Sequence, residues 1–134
     1  MAAEVYDVVV IGAGAAGENV ADYAIRGSER TALLVERELV GGECSYHACM
    51  PSKALLRPLE VRDAAEHLGG LPARISLDVP ALLARRDTWV SGYDDSGQVA
   101  WATGAGIEVA RGTARLSGER RVAIAGDRAE REVS

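Results

Sequence analysis

The sequence predicts an α/β fold, a parallel sheet covered by helices and followed by a small β-hairpin. Three observations carry that expectation. Val5–Ile11 is a short, β-branched apolar run ending at Gly12, the pattern of a strand buried on both faces. Gly12-Ala13-Gly14-Ala15-Ala16-Gly17 follows at once and opens a stretch of helical character. Thr31–Glu36 is a second buried run, so strand, glycine turn, helix and strand fall within about 30 residues and make a βαβ unit. Its crossover is right-handed.

The elements follow in order. Ala15–Arg26 predicts a helix with small residues on its inner side and Gly27 just past its end. Glu38–Glu43 is a glycine-rich loop, and helix is expected from about Cys44 to Leu56. Pro58 predicts the start of a new helical segment that runs to about Leu68, where Gly69 and Gly70 stop it. Leu77-Asp78-Val79-Pro80 predicts another helix start, with helix to about Gly92, and Asp94–Ala102 predicts a further helical stretch. Ile107–Arg111 predicts the third strand, and Gly112–Leu116 with Arg121–Ala125 a hairpin around Ser117–Arg120. The expected strand order is 3-2-1, with Val5–Ile11 at the edge. Trp89, Tyr93 and Trp101 are spaced as the inner, core face of the helical excursion. Asp94-Asp95 reads as a cap or solvated turn, Arg85-Arg86 as a solvated helix face, and His67 as a surface residue near a helix end. No linker divides the chain.

Composition narrows the function classes. Hydrophobic residues make up 48% of the 134 residues, enough for a core. The net charge is −5 and the basic residues are scattered, which argues against nucleic acid as a partner. No apolar run approaches the roughly 18 residues that span a membrane. Met1–Asp7 is acidic where an export signal would be basic, so the expected location is cytoplasmic. Two cysteines in such a chain are more often redox or metal groups than staples. A bridge between Cys44 and Cys49 would close a loop so short that it stabilises the fold by only about 2 kcal/mol.

The glycine motif has a physical task at each position. Gly12 permits the tight turn, Gly14 lets a pyrophosphate approach the backbone, and Gly17 lets helix and strand pack closely. The free N–H groups at the helix start then face the anion. Glu36 stands 24 positions after Gly12, where an acid accepts hydrogen bonds from a ribose diol and disfavours a 2′-phosphate. The motif therefore suits FAD or NAD rather than NADP, and by itself leaves the first two open.

The run Gly41-Gly42-Glu43-Cys44-Ser45-Tyr46-His47-Ala48-Cys49-Met50-Pro51-Ser52-Lys53 is the most informative stretch. Residues five apart on an ideal helix point away from each other, so a bridge needs a distorted first turn. Pro51 suits that, having no N–H for the carbonyl of His47. A helix start and Lys53, one turn beyond Cys49, both favour thiolate. Two other readings stand beside this one. Cys44, His47 and Cys49 supply three potential zinc ligands of a thiol or zinc-binding non-enzyme. Alternatively the cysteines are ordinary residues of an NAD-dependent dehydrogenase or a flavin monooxygenase.

In these residues the chain resembles the class I flavoprotein (pyridine nucleotide-) disulfide oxidoreductases, which include dihydrolipoamide dehydrogenase, glutathione reductase and mercuric reductase. That family's segment runs G-G-T-C-x-N-x-G-C-x-P-S-K. The glycines, both cysteines, Pro51, Ser52 and Lys53 match it, while Glu43, Tyr46 and Ala48 replace Thr, Asn and Gly. The resemblance implies a Rossmann-like FAD-binding domain, of which residues 1–134 are the N-terminal part, incomplete at its C-terminus. It implies FAD as cofactor, with Gly12, Gly14, Ala15, Ala16 and Gly17 at the pyrophosphate and Glu36 and Arg37 at the adenosine. Gly41, Gly42 and Glu43 would line the same cofactor, and Thr113 and Ala114 would touch the adenine.

By the same likeness Cys44 exchanges with the substrate, Cys49 forms the charge-transfer pair with the flavin, and Lys53 lies near the flavin's reactive edge. The implied path runs from NAD(P)H to FAD, to a Cys44–Cys49 disulfide, and on to a small disulfide or dithiol substrate or a metal ion. The NAD(P)-binding and dimerisation domains, the latter bringing a His-Glu base to the partner's site in a homodimer, are absent from these residues. Neither His47 nor His67 is placed to replace that base. The 134 residues alone are therefore expected not to turn over, and their uncovered edge strand to leave them unstable or oligomeric.

Overall fold

A computed structural model describes residues 4–71, 74–126 and 130–134. In chain order the elements are β1 (Val8–Ile11), α1 (Ala15–Ile25), β2 (Ala32–Glu36), α2 (Gly42–Tyr46), α3 (Cys49–Glu66) and α4 (Val79–Trp89). A single 3₁₀ turn at Ser91–Tyr93 leads to α5 (Ser96–Gly104), β3 (Ile107–Arg111), β4 (Thr113–Gly118), β5 (Arg121–Ala125) and β6 (Arg131–Val133). They form two compact units, Met1–Gly42 with Asp95–Ser134, and Glu43–Asp94. The sequence carries no linker signal at these boundaries because one falls inside the Gly41–Lys53 run and the other between two aspartates.

In the first unit β2 lies between β1 and β3, all three parallel, with Leu34 opposite both Val10 and Val109. Ala32, Leu33, Leu34 and Val35 are essentially fully buried, as a strand covered on both faces must be. Alternation along β2 divides the core. Ala32 and Leu34 pack with Ala21 and Ile25 of α1, Ala102 of α5 and Ile107. Leu33 and Val35 face the other way, onto Ala110, Val122, Ile124 and Val133. The second layer there is an antiparallel sheet in the order β4-β5-β6. Each fully buried leucine contributes about 2 kcal/mol of transfer free energy, so β2 is the element least able to tolerate polar change.

One strand start and one whole strand differ from the sequence expectation. β1 starts at Val8, not Val5, because Asp7 and Thr31 tie their side chains to each other's backbone N–H groups and end the ladder there. β6 was not foreseen. It is three residues long and is held by β5 on one side and by a parallel bridge between Val133 and Glu4 on the other, and a segment so short has no period to read.

In the second unit α3 runs unbroken for 18 residues with Pro58 inside it, which corrects the expected restart at Pro58. Proline leaves the carbonyl four residues back without its donor. That carbonyl belongs to Ala54, and the Arg85 Nε–H of α4 donates to it at 3.3 Å. Arg85 is therefore not simply a solvated face, since its guanidinium also lies over the Trp89 ring at 4.8 Å. α4 begins on Asp78, whose carboxylate accepts the Ala81 N–H at 3.0 Å, with Pro80 in the first turn. His67 sits exposed at the end of α3, where a hydrogen bond at the Asp63 carbonyl and the Asp63 charge raise its pKa.

The aromatic residues are a second correction. Trp89, Tyr93 and Trp101 are exposed by 39%, 41% and 42% and form no core. Tyr93 stacks on His47 with ring centroids 5.5 Å apart. It is held there by three successive left-handed residues, Ser91, Gly92 and Tyr93, two of which pay the Cβ penalty of that conformation. Among the described residues no helix is long and apolar enough to cross a membrane.

Candidate functional site: a glycine cradle and a dithiol segment

The cradle belongs to the first unit and sits at the carboxyl ends of the parallel strands, where ligands of open α/β sheets bind. Gly12 leaves β1 with φ 96°, its N–H on the Val35 carbonyl at 2.8 Å. A Cβ on Gly17 would overlap the Gly12 carbonyl oxygen, so α1 crosses the turn in backbone contact. Gly14 differs. An added Cβ there meets no other segment within 4 Å among the described residues, so the space above it is open. Gly14 is also the N-cap of α1 and offers no side-chain acceptor to the helix start; with the Ala15 N–H turned to Gly41 in a parallel bridge, the first-turn N–H groups of Ala16 and Gly17 are those left for an anion. The open face over Gly14 and the unserved donors together fit a pyrophosphate.

Neighbouring segments close around this turn. The Gly41 N–H donates to the Ala13 carbonyl at 2.7 Å, and a Cβ on Gly42 would stand 2.6 Å from the Gly14 Cα. Glu36 holds the loop from the other side: its Oε2 accepts the Ala13 N–H at 2.7 Å and its Oε1 accepts the Glu38 N–H at 2.8 Å. Each carboxylate oxygen keeps a further lone pair, so Glu36 can still accept ribose hydroxyls. The Gly112 N–H donates to the Glu36 carbonyl at 3.0 Å, which brings Thr113 and Ala114 at the start of β4 to the same end of the sheet. Arg37 is exposed and paired with Glu38. Glu18, in the first turn of α1, has its pKa raised by burial.

Sequence reasoning missed Asp95. It stands at the N-cap of α5 but makes no capping bond. Its Oδ2 instead accepts the Val40 N–H at 2.7 Å and pairs with Arg111, which also donates to the Glu38 carbonyl. The carboxylate thus braces the loop that delivers Gly41 and Gly42. No local pattern signals a contact spanning 55 residues. Asp95→Ala would strand the N–H of fully buried Val40. It is expected to destabilise the protein by about 2 kcal/mol, with Asp95→Asn milder because its amide oxygen still accepts. Urea unfolding checks this, and equal stabilities for wild type and Asp95→Ala would refute the brace.

The dithiol segment belongs to the second unit. Cys44 lies within α2 and Cys49 opens α3, so the two are not on one continuous helix as expected. The break falls at His47 and Ala48. Both donate to the Glu43 carbonyl, at 2.8 and 2.7 Å, and Ala48 takes φ −123° and ψ −90°. The break removes the continuous-helix geometry in which residues five apart point away from each other. Pro51 falls in the first turn of α3, where no intrahelical donor is missed. Both cysteines are thiols here, Cys44 half-buried and Cys49 exposed. Lys53 is exposed one turn after Cys49, on the same side of the helix. Among the described residues no group of three or more His, Cys, Asp or Glu side chains is placed to hold a metal ion, so Cys44, His47 and Cys49 do not come together as one.

The structure therefore gathers Gly12, Gly14, Ala15, Ala16, Gly17, Glu36, Gly41, Gly42 and Thr113 around one strand end, and sets Cys44, Cys49 and Lys53 on a second unit. Comparison with known proteins adds a family. That described as pyridine nucleotide-disulphide oxidoreductase matches residues 6–133. The chain is 37% identical over 128 residues to dihydrolipoyl dehydrogenase 3 of Pseudomonas aeruginosa, covering 91% of this chain and 27% of that protein. It is 35% identical over 116 residues to mercuric reductase of Streptomyces lividans, covering 84% and 24%. The Cu(II) complex of the HOCl-induced flavoprotein disulfide reductase of Escherichia coli shares the fold, with a TM-score of 0.74 and 20% identity over 99% of this chain and 27% of that one. The chain thus spans about a quarter of the length of these relatives.

Proposed function

The chain belongs to the pyridine nucleotide-disulphide oxidoreductase family, and on that premise we propose that it is the N-terminal part of the FAD-binding domain of a disulfide oxidoreductase. The whole enzyme would pass electrons between NAD(P)H and a small disulfide or dithiol, or a metal ion, by way of FAD and the Cys44–Cys49 pair. A nicotinamide-binding domain and a dimerisation domain would lie in further chain, and the enzyme would be a cytoplasmic homodimer. The observation that carries the proposal is the helix break between Cys44 and Cys49, in a chain that also holds an open glycine cradle.

The residues divide the work. Gly14 and the N–H groups of Ala16 and Gly17 would hold the pyrophosphate, and Glu36 the ribose, with Ala15, Arg37, Gly41, Gly42, Glu43, Thr113 and Ala114 around them. Bound FAD supplies the two-electron link between a nicotinamide and a dithiol. Cys44 as thiolate attacks one sulfur of the substrate disulfide, forming a mixed disulfide and releasing one substrate thiolate. Cys49 then attacks the Cys44 sulfur, releasing the second thiolate and closing the Cys44–Cys49 disulfide. Two electrons pass to the substrate, and two protons from solvent complete its thiols.

The test is the visible spectrum of the purified full-length protein before and after addition of one two-electron equivalent. A flavin band giving way to a long-wavelength charge-transfer band, lost in Cys49→Ser, is the expected result. A flavin band without charge transfer would remove the dithiol chemistry, and no flavin at all would remove the cofactor.

A further inference from the structure

The stack of Tyr93 on His47 joins the turn after α4 to the residues between the two cysteines. The ring centroids are 5.5 Å apart and the planes 27° apart, within the range of attractive aromatic pairs. His47 stands at the helix break itself, its N–H on the Glu43 carbonyl. The turn is anchored where it leaves α4. Buried Val90 accepts the Tyr93 N–H at 2.8 Å, and Arg85 of α4 donates to the Ala54 carbonyl at 3.3 Å. Helix α4 and its turn therefore meet the dithiol segment at His47 and again at Ala54, on either side of Cys49 in the sequence.

This placement is strained. The φ angles are 53° at Ser91, 60° at Gly92 and 64° at Tyr93, and only glycine adopts such values without crowding of its Cβ. Residues stay in such conformations where their surroundings over-determine them, and they gather at functional sites. Tyr93 is exposed and packs into no core; the contact that its conformation secures is the one with His47.

We propose that Tyr93 is a positioning residue for the dithiol, acting through His47 to restrain the reduced Cys44–Cys49 segment; the inference rests on the disulfide chemistry proposed above. Opening a Cys44–Cys49 disulfide takes up two electrons and two protons and releases the constraint on residues 45–48. A loose segment would gain conformational freedom at that step and so favour the dithiol. Held at His47, it gains less, and the balance moves toward the closed pair. Pro51 does not do this, because it withholds a donor from the His47 carbonyl without holding the His47 side chain.

The experiment equilibrates the purified, full-length, flavin-loaded protein with mixtures of reduced and oxidised dithiothreitol, which gives up as a closing ring the two electrons and two protons that the protein disulfide takes. Alkylation under denaturing conditions with peptide mass mapping counts the thiols, and the charge-transfer absorbance is the second reading. Tyr93→Gly removes the ring and suits the left-handed backbone. In it, half-reduction is expected at an about fivefold lower ratio of reduced to oxidised dithiothreitol, the effect of one aromatic pair on an equilibrium. His47→Ala is expected to shift the midpoint equally, and the double variant no further than either single one. Tyr93→Phe keeps the ring and is expected to match wild type. The melting temperature of Tyr93→Gly is expected to stay close to wild type, because relief of strain offsets the lost contact, which separates positioning from loss of fold. An unchanged midpoint in Tyr93→Gly or in His47→Ala, or a Tyr93→Phe protein shifted as far as Tyr93→Gly, would overturn the inference while leaving the dithiol chemistry intact. A wild-type pair that never closes across the whole range of mixtures would overturn the dithiol chemistry itself, and this inference with it.

Discussion

Gly17→Ala is expected to destabilise the protein by about 3 kcal/mol and to yield it largely without flavin. Helix propensity alone points the other way, since alanine in a helix interior is favoured over glycine by about 1 kcal/mol. The clash decides the sign. The new Cβ would overlap the Gly12 carbonyl oxygen and approach its carbon at 3.1 Å. Neither is the end of a flexible side chain. Gly12 is held by its N–H on Val35, and Ala13 by Glu36, so the turn cannot yield without losing both bonds. Helix α1 must move instead, pulling Ala21 and Ile25 out of the core beneath β2, and overpacking of this kind costs 1–3 kcal/mol or more. Gly14→Ala is the informative control. Its φ of −74° suits any residue and its Cβ meets no other segment among the described residues. It is expected to melt like wild type yet lose flavin, because the methyl group fills the cradle. Melting temperature and the ratio of flavin to protein absorbance, read on both variants, check the pair. A Gly17→Ala protein as stable as wild type, or a Gly14→Ala protein with a full flavin complement, would contradict the assignment of each glycine.

What was legible in advance follows from the range of the interactions concerned. The three parallel strands and α1 announce themselves through runs and periods a few residues long, and Gly12, Gly14 and Gly17 through fixed spacing in one turn. The dithiol break was foreseen only as a distorted first turn, because a helix pattern shows that a bridge needs distortion without locating it. The structure places it at His47 and Ala48, on the shared Glu43 carbonyl. Sequence alone makes Pro58 a helix start, because its rescue comes from Arg85 on another helix. Asp95 looked like a cap because its partners, Val40 and Arg111, are distant in sequence. Spacing alone puts Trp89 and Tyr93 in a core, whereas their partners are the polar side chains of Arg85 and His47. For Pro58 and Asp95 a short pattern is overruled by a contact made across the sequence, whereas for Trp89 and the dithiol break a neighbour within one or two turns decides.

The two cysteines should separate sharply in single-serine variants. Family likeness makes Cys44 the exchanging thiol, yet Cys49 is the more exposed of the two in the chain itself. Exposure and a helix N-terminus alone would make Cys49 the faster nucleophile. These readings give opposite results, so the pair can be assigned. In the flavin-loaded protein, Cys49→Ser is expected to form a stable mixed disulfide with an aromatic disulfide such as dithiobis(nitrobenzoate), one per chain at Cys44, because the resolving thiol is gone. Disulfide reduction should fall at least a thousandfold in either variant, since the attack and the release each need one of the two sulfurs. Stripping the flavin should reverse the order of alkylation by iodoacetamide: Cys49 reacts first in the apoprotein and Cys44 first once cofactor covers Cys49. Peptide mass mapping of the alkylated sites reads this directly. If Cys49 reacts first in both states, the exposure seen in the chain persists in the holoprotein. The exchange role then belongs to Cys49, and the direction of attack written above is reversed. If neither variant loses turnover, the thiols are bystanders and the electrons leave the flavin by another route.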